Sequence, residues 1–258
     1  MWEEELEDIK YIASIAGKAI MEFFNNGFVY NLKDDLSPVT SADKASNDII
    51  VNYLKEKYPR YAILSEENHD DFSRLDNDYV WIIDPLDGTV SFMNHETDFV
   101  INIALSYKHE IVVSVVYIPY TKEFYFACKQ QGSFLSKEGK VVKLHVNNKI
   151  TNLTCLVSKN HFTEAEKNYI GLHCDRISEI KPIGSGIKPC LIAKGEAEIS
   201  YRFSDGTKQW DTAAPQLILE EAGGYFLKPN GEKITYNRKD VYNREGYICV
   251  NNLNNWFK

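Results

Sequence analysis

The sequence predicts a mixed α/β protein, with an α+β first half over residues 1–148 and an α/β second half over residues 149–258. Three features carry that expectation: two amphipathic helical stretches ahead of position 60, short β-branched and aromatic runs between 61 and 128, and strand–helix alternation beyond Asn148. No repeat, low-complexity tract or Pro/Gly/Ser linker separates the halves, so they are expected to pack as one unit.

From Leu6 to Phe24, the residues Leu6, Ile9, Ala13, Ala16, Ile20 and Phe23 recur at three- and four-residue steps until Asn25-Asn26-Gly27 interrupts them, which predicts a helix. Asp35-Leu36-Ser37-Pro38-Val39 reads as a loop or short extended stretch. A second helix is expected to start at Thr40 or Ser41, either of which can cap it, to turn Ala45, Ile49, Tyr53 and Leu54 inward, and to end at Pro59. Tyr61 to Leu64 and Tyr79 to Ile83 suit strands, and each run ends in acidic residues. Phe99 to Tyr107 and Ile111 to Tyr117, joined by Lys108-His109-Glu110, read as an antiparallel hairpin, with Glu123 to Cys128 as a third strand. Beyond Asn148 the expected order is strand (Leu153 to Ser158), helix (Thr163 to Leu172), strand (Ile177 to Ile180), helix (Ile187 to Ala193), strand (Ala197 to Phe203) and helix (Thr212 to Ala222).

Composition narrows the function. A formal charge of −8 argues against nucleic-acid polymers and anionic membranes as partners, so a small anionic ligand needs local cations. Apolar runs stay at about eight residues, far short of the roughly twenty that cross a bilayer. The acidic start, Trp2-Glu3-Glu4-Glu5, is unlike a secretory leader, and a cytoplasmic location is expected. Cys128, Cys155, Cys174, Cys190 and Cys249 form no C-x-x-C pair and read as reduced thiols. The six histidines lack metal-binding spacing.

The densest chemistry lies in Asp84-Pro85-Leu86-Asp87-Gly88-Thr89, where an apolar strand runs into two carboxylates three residues apart. Pro85 fixes the turn, so both carboxylates and the Leu86 carbonyl can converge, and Gly88 allows close backbone approach. A helical turn starting near Thr89 would aim free N–H groups at the same point. Oxygen-only donors suit magnesium or manganese rather than zinc or copper. Two more acidic positions join these: Ser65-Glu66-Glu67 at a strand end, and Asp211 in Trp210-Asp211-Thr212-Ala213-Ala214-Pro215, read as a helix cap with Pro215 in the first turn. Each also has a plain structural reading, as a solvated pair or as an ordinary cap.

Taken together, Ser65-Glu66-Glu67, Asp84 to Thr89 and Trp210 to Ala214 resemble the inositol monophosphatase superfamily across nearly the whole chain. Ser37-Pro38-Val39-Thr40-Ser41-Ala42-Asp43, Asn102-Ile103-Ala104-Leu105 and Gly184 to Gly195 are most similar to its 3'(2'),5'-bisphosphate nucleotidase branch, the CysQ type. The resemblance implies a layered αβαβα sandwich. It implies two or three Mg²⁺ ions, with Mn²⁺ as a substitute, held by Glu66, Asp84, the Leu86 carbonyl, Asp87 and Asp211. Asp43 and Thr89, with Glu66, would orient and deprotonate the attacking water, while the Gly88 and Thr89 amides receive the phosphate beside Asp211. Ser185, Lys188 and Arg202 would grip a second phosphate. The charges are consistent with this, since four carboxylates carry −4 and two Mg²⁺ carry +4, and without cations the site would repel its substrate.

The implied substrate is a small phosphorylated nucleotide, adenosine 3',5'-bisphosphate, cleaved to AMP. Val90 departs from the branch, which commonly has lysine there, so an inositol 1-phosphate or fructose 1,6-bisphosphate phosphatase is the alternative. A non-catalytic nucleotide or metal sensor is a third reading. The family also permits a homodimer.

Overall fold

The computed structural model describes residues 2–34 and 36–257. Helix α1 (Glu3–Asn26) buries Ile9, Ala13, Ala16 and Ile20 and stops at Gly27, whose φ of 101° a side chain rarely adopts. Strands β1 (Tyr30–Leu32) and β2 (Pro38–Thr40) then form a small antiparallel ribbon, so part of the expected loop is extended chain; Asp35 lies outside the described residues. Thr40 caps α2 (Ser41–Lys57), as expected, through a reciprocal box with Asp43.

The inward face of α2 differs from the expected one. Ala42, Ser46, Asn47, Ile50, Val51 and Leu54 are buried, whereas Ala45, Ile49 and Tyr53 are only partly covered. Apolar periodicity put the stripe one residue off because Ser46 and Asn47 satisfy buried hydrogen bonds below the helix.

Strand β3 (Ala62–Ser65) pairs in parallel with β4 (Tyr79–Asp87), which brings both acidic strand ends to the same edge. After the short helix α3 (Thr89–Met93), the chain runs antiparallel through β5 (Val100–Tyr107), β6 (Glu110–Ile118), β7 (Glu123–Cys128), β8 (Gly132–Lys137) and β9 (Lys140–Lys143). The hairpin and third strand match expectation; β8 and β9 were not anticipated.

The second sheet has five strands in the order β11-β10-β12-β14-β13. Its elements are β10 (Leu153–Ser158), α4 (Glu164–Gly171), β11 (Ile177–Ile183), α5 (Lys188–Ala193), β12 (Ile199–Arg202), α6 (Gln209–Glu221), β13 (Tyr225–Leu227) and β14 (Tyr247–Val250). β10 runs parallel to β11 and β12, as strand–helix alternation requires, whereas β13 and β14 close the sheet antiparallel.

Three apolar clusters define the layers. Ile9, Ile20 and Leu54 of α1 and α2 pack with Trp81, Ile103 and Val113 of the seven-stranded sheet. Its other face shares a core with Cys190, Ile192, Leu217 and Ile218 of α5 and α6 and with Leu156, Phe226 and Cys249 of the second sheet. Leu153, Val157, Ile199 and Val250 meet Ile170 of α4 on the outside. The molecule is therefore an αβαβα sandwich. One buried cation crosses between its ends: Arg74, 2% exposed, binds Asp70, the Asn237 side chain and the Arg238 carbonyl.

Because α6 is the central helical layer, Ile218→Ala, at 0% exposure, is expected to cost about 2–5 kcal/mol in urea denaturation. Val141→Ala on the outermost strand, 58% exposed, should stay within about 0.5 kcal/mol.

Candidate active site

The parallel β3–β4 pair sets the first two acidic groups side by side, and the Glu66 N–H donates to the Ile83 carbonyl at 3.1 Å. β4 continues past Ile83 through an irregularity: Asp84 pairs with Asn102 and Asp87 with Val100, so Pro85 and Leu86 share a single opposing residue. This bulge turns both aspartates toward the start of α6. Carboxylate oxygens of Asp84, Asp87 and Asp211 lie within 4.8 Å of one another, Asp84 buried and the other two partly so.

Asp211 does not cap α6. The helix begins at Gln209, after Lys208, and Asp211 is its third residue; its carboxylate accepts the Lys208 N–H at 2.6 Å. The start is earlier because buried Gln209 and Trp210 dock there, with the Gln209 N–H bonded to the Val241 carbonyl. Pro215 consequently sits in the second turn. Having no N–H, it leaves the Asp211 carbonyl without its helical donor, and that carbonyl faces Gly186.

Gly186 is a close approach. A Cβ there would lie 2.7 Å from Asp87 Oδ2, and the Gly186 N–H donates to that same oxygen. Asn102 Nδ2 adds a second donor at 3.3 Å. Gly88, with φ 94°, would place a Cβ 3.2 Å from the Ser185 Cβ, so the predicted phosphate-receiving turn abuts the loop carrying Ser185. In that loop the Lys188 ammonium donates to the Ser185 carbonyl at 2.6 Å. Lys188 is buried; burial lowers its pKa, the Asp87 charge opposes that effect, and Arg202 adds repulsion. Arg202 lies nearby but binds Glu166 at 3.3 Å and the His161 carbonyl.

Asp43 and Thr89 meet as expected: the Thr89 hydroxyl donates to Asp43 Oδ1 at 3.1 Å and lies 3.2 Å from the Leu86 carbonyl. Asp43 Oδ2 is taken by the Thr40 N–H at 2.8 Å, so the helix cap leaves one oxygen for Thr89. Burial raises the Asp43 pKa, and the Thr40 and Thr89 bonds oppose the rise.

Glu66 stands outside the three-carboxylate group. Lys33, from the segment after β1, reaches Glu66 at 2.8 Å and Glu67 at 2.5 Å. Burial would lower the Lys33 pKa, but the two glutamates outweigh it and the net shift is upward. No local signal pointed to Lys33, since its partners are 33 and 34 residues away. Asn102 and Gly186 fell inside recognised motifs without an assigned role.

The remaining repulsion is of the kind a bound cation would relieve. Burial, then the charges of Glu66, Asp87 and Asp211, push the Asp84 pKa far up. Asp211 is pushed to about 8 by burial and Asp87. Asp87 is pushed to about 6 by burial, against the Gly186 bond and Lys188. An all-oxygen donor set carrying uncompensated negative charge fits a hard divalent cation such as Mg²⁺.

Carboxylates gathered at two strand ends and one helix start, beside a threonine–aspartate pair, make an acidic centre suited to a hard cation within a layered α/β fold. The sequence profile of the inositol monophosphatase family matches residues 2–256, and the chain belongs to that family. It is 35% identical over 240 residues to the 3'(2'),5'-bisphosphate nucleotidase CysQ of Buchnera aphidicola, covering 92% of this chain and 89% of that protein. It is 32% identical to an inositol monophosphatase of Mesembryanthemum crystallinum, covering 88% and 87%. The crystal structure of CysQ from Bacteroides thetaiotaomicron, a bacterial member of the family, superposes with a TM-score of 0.85 at 29% identity, over 97% and 98% of the chains. Among the described residues, no helix is long and apolar enough to cross a membrane.

A carboxyl whose folded pKa lies above its unfolded value holds its proton more tightly in the fold. Its penalty is absent below the unfolded pKa, 3.8 for aspartate, and grows until pH passes the folded value. Metal-free protein should therefore lose thermal stability as pH rises above 3.8, the loss levelling off near about 6 for Asp87 and about 8 for Asp211. Magnesium should restore it. Melting curves with and without Mg²⁺ should diverge across that window; a gap independent of pH would contradict the assignment.

Proposed function

We propose that the protein is a magnesium-dependent 3'(2'),5'-bisphosphate nucleotidase that hydrolyses adenosine 3',5'-bisphosphate to AMP and phosphate. The observation carrying the nucleotide reading is the pair of neighbouring buried cations, Lys188 and Arg202, in continuity with the carboxylate cluster through Gly186 and Asp87. A second phosphate would meet both cations, adding to the Glu166 carboxylate already on Arg202, whereas a substrate with one phosphate would leave Lys188 only the Asp87 charge.

In this reading Glu66, Asp84, the Leu86 carbonyl, Asp87 and Asp211 hold two Mg²⁺. When bound, magnesium activates water and stabilises charge on the phosphoryl and leaving oxygens. The Thr89 hydroxyl donates to Asp43, so its lone pair is turned to receive a proton from the attacking water. That proton passes through Thr89 to Asp43, whose raised pKa makes it a better base than an exposed aspartate. As the water oxygen bonds to phosphorus, the bond to the ribose 3'-oxygen breaks and that oxygen leaves as a hydroxyl after taking a proton from solvent. The Gly88 and Thr89 amides would steady the phosphate, while Ser185, Lys188 and Arg202 hold the 5'-phosphate. The CysQ relatives support this reading by name.

The second reading, an inositol 1-phosphate phosphatase, draws on Val90, which sits 39% exposed on α3 where the branch commonly supplies a lysine. It also draws on the inositol monophosphatase relative.

Phosphate release from adenosine 3',5'-bisphosphate, inositol 1-phosphate and fructose 1,6-bisphosphate, each with and without lithium, separates the two. The nucleotidase reading expects the bisphosphate nucleotide to have the highest kcat/KM; far faster turnover of inositol 1-phosphate would sink it. Lys188→Met should raise KM for the nucleotide roughly 10- to 100-fold, the worth of a charged hydrogen bond, and spare a small monophosphate. Asp84→Asn should abolish both turnover and the magnesium-induced rise in melting temperature.

A further inference from the structure

The buried face of α2 is polar where it meets the catalytic turns. Asp43, Ser46 and Asn47 are 2%, 0% and 5% exposed, and each bonds a different segment. Asp43 takes Thr89. Asn47 accepts from the Ser65 hydroxyl at 2.7 Å and donates to Asn68 Oδ1 at 2.9 Å, gripping both ends of the turn with Glu66 and Glu67 at its centre. Ser46 donates its hydroxyl to the Pro85 carbonyl at 2.7 Å.

The last bond has a consequence for the bulge. Pro85 and Leu86 together oppose one residue of β5, so the ladder cannot engage both of their carbonyls in the regular way. The Ser46 hydroxyl fixes the Pro85 carbonyl, one peptide group ahead of the Leu86 carbonyl, which the Thr89 hydroxyl approaches to 3.2 Å. The same anchor fixes the step from Asp84 to Asp87, and the Leu86 N–H closes that step by donating to Asp84 Oδ1 at 3.1 Å.

We infer that Ser46 is a positioning residue for the cation site, acting through the Pro85 carbonyl on the Leu86 carbonyl and on the spacing of Asp84 and Asp87. The inference rests on the reading of these groups as magnesium ligands. Ser46 touches neither substrate nor cation; like other groups that orient ligands from behind, it sets affinity through geometry.

Calorimetric titration of the metal-free 258-residue chain with MgCl₂ tests it. Ser46→Ala should weaken magnesium binding roughly 10-fold. Two controls separate positioning from stability. Ser114→Ala removes an equally buried hydroxyl that has no hydrogen-bond partner among the described residues, and Leu153→Ala opens a cavity in the outer core. Both should bind magnesium as the wild type does, although Leu153→Ala melts at lower temperature. Wild-type affinity in Ser46→Ala overturns the inference while leaving the proposed function standing, and so does equal weakening in Leu153→Ala. Absence of magnesium binding by the wild type overturns both.

Discussion

Like charges confined in a small volume govern this molecule. Asp84 and Asp87 lie far from Asp211 in the sequence, and nothing in their own chemistry favours holding their oxygens within 4.8 Å. The scaffold supplies the restraint. Parallel pairing of β3 with β4 fixes one side, α6 wedged between the two sheets fixes the other, and their shared apolar core makes separation costly.

The restraint is softened by donors that leave room for a cation. Asp84 accepts the Leu86 N–H, Asp87 accepts from Gly186 and Asn102, and Asp211 accepts the Lys208 N–H. Each bond fixes the orientation of a carboxylate. Lys33 does something different, reaching Glu66 and Glu67 from the chain ahead of α2 and carrying positive charge to the edge of the cluster. The acidic centre is thus partly neutralised by neighbours, and the remaining charge suits a divalent ion.

Where local chemistry dictated structure, the sequence could be read directly. Thr40 announces the start of α2, and the hairpin around Lys108-His109-Glu110 follows from the two apolar runs beside it; Asp84-Pro85-Leu86-Asp87, expected as a turn, is instead the bulged end of β4, which runs to Asp87. Long-range contacts stayed hidden. Ser46 and Asn47 look like solvent-facing residues of an amphipathic helix until the segments beneath them are known. Asp211 was recognised as acidic machinery but misplaced as a cap, because docking of Gln209 and Trp210 extends the helix backward. Strands β8 and β9 escaped notice because exposed Val141 and Val142 are bracketed by lysines, and β13 is only three residues long. Interior β14 is four buried residues within a turn-rich tail.

The outermost strands bear on how the chain behaves at high concentration. β9 ends the seven-stranded sheet with Lys140 and Lys143 flanking its valines, and β11 ends the five-stranded sheet with Glu179, Lys181 and Pro182. Unpaired strand borders invite another polypeptide to add on, and burying an ammonium or meeting a proline without an N–H makes that addition unfavourable. One open margin of each sheet therefore carries its own deterrent to fibre-like stacking, built from residues remote from the acidic centre.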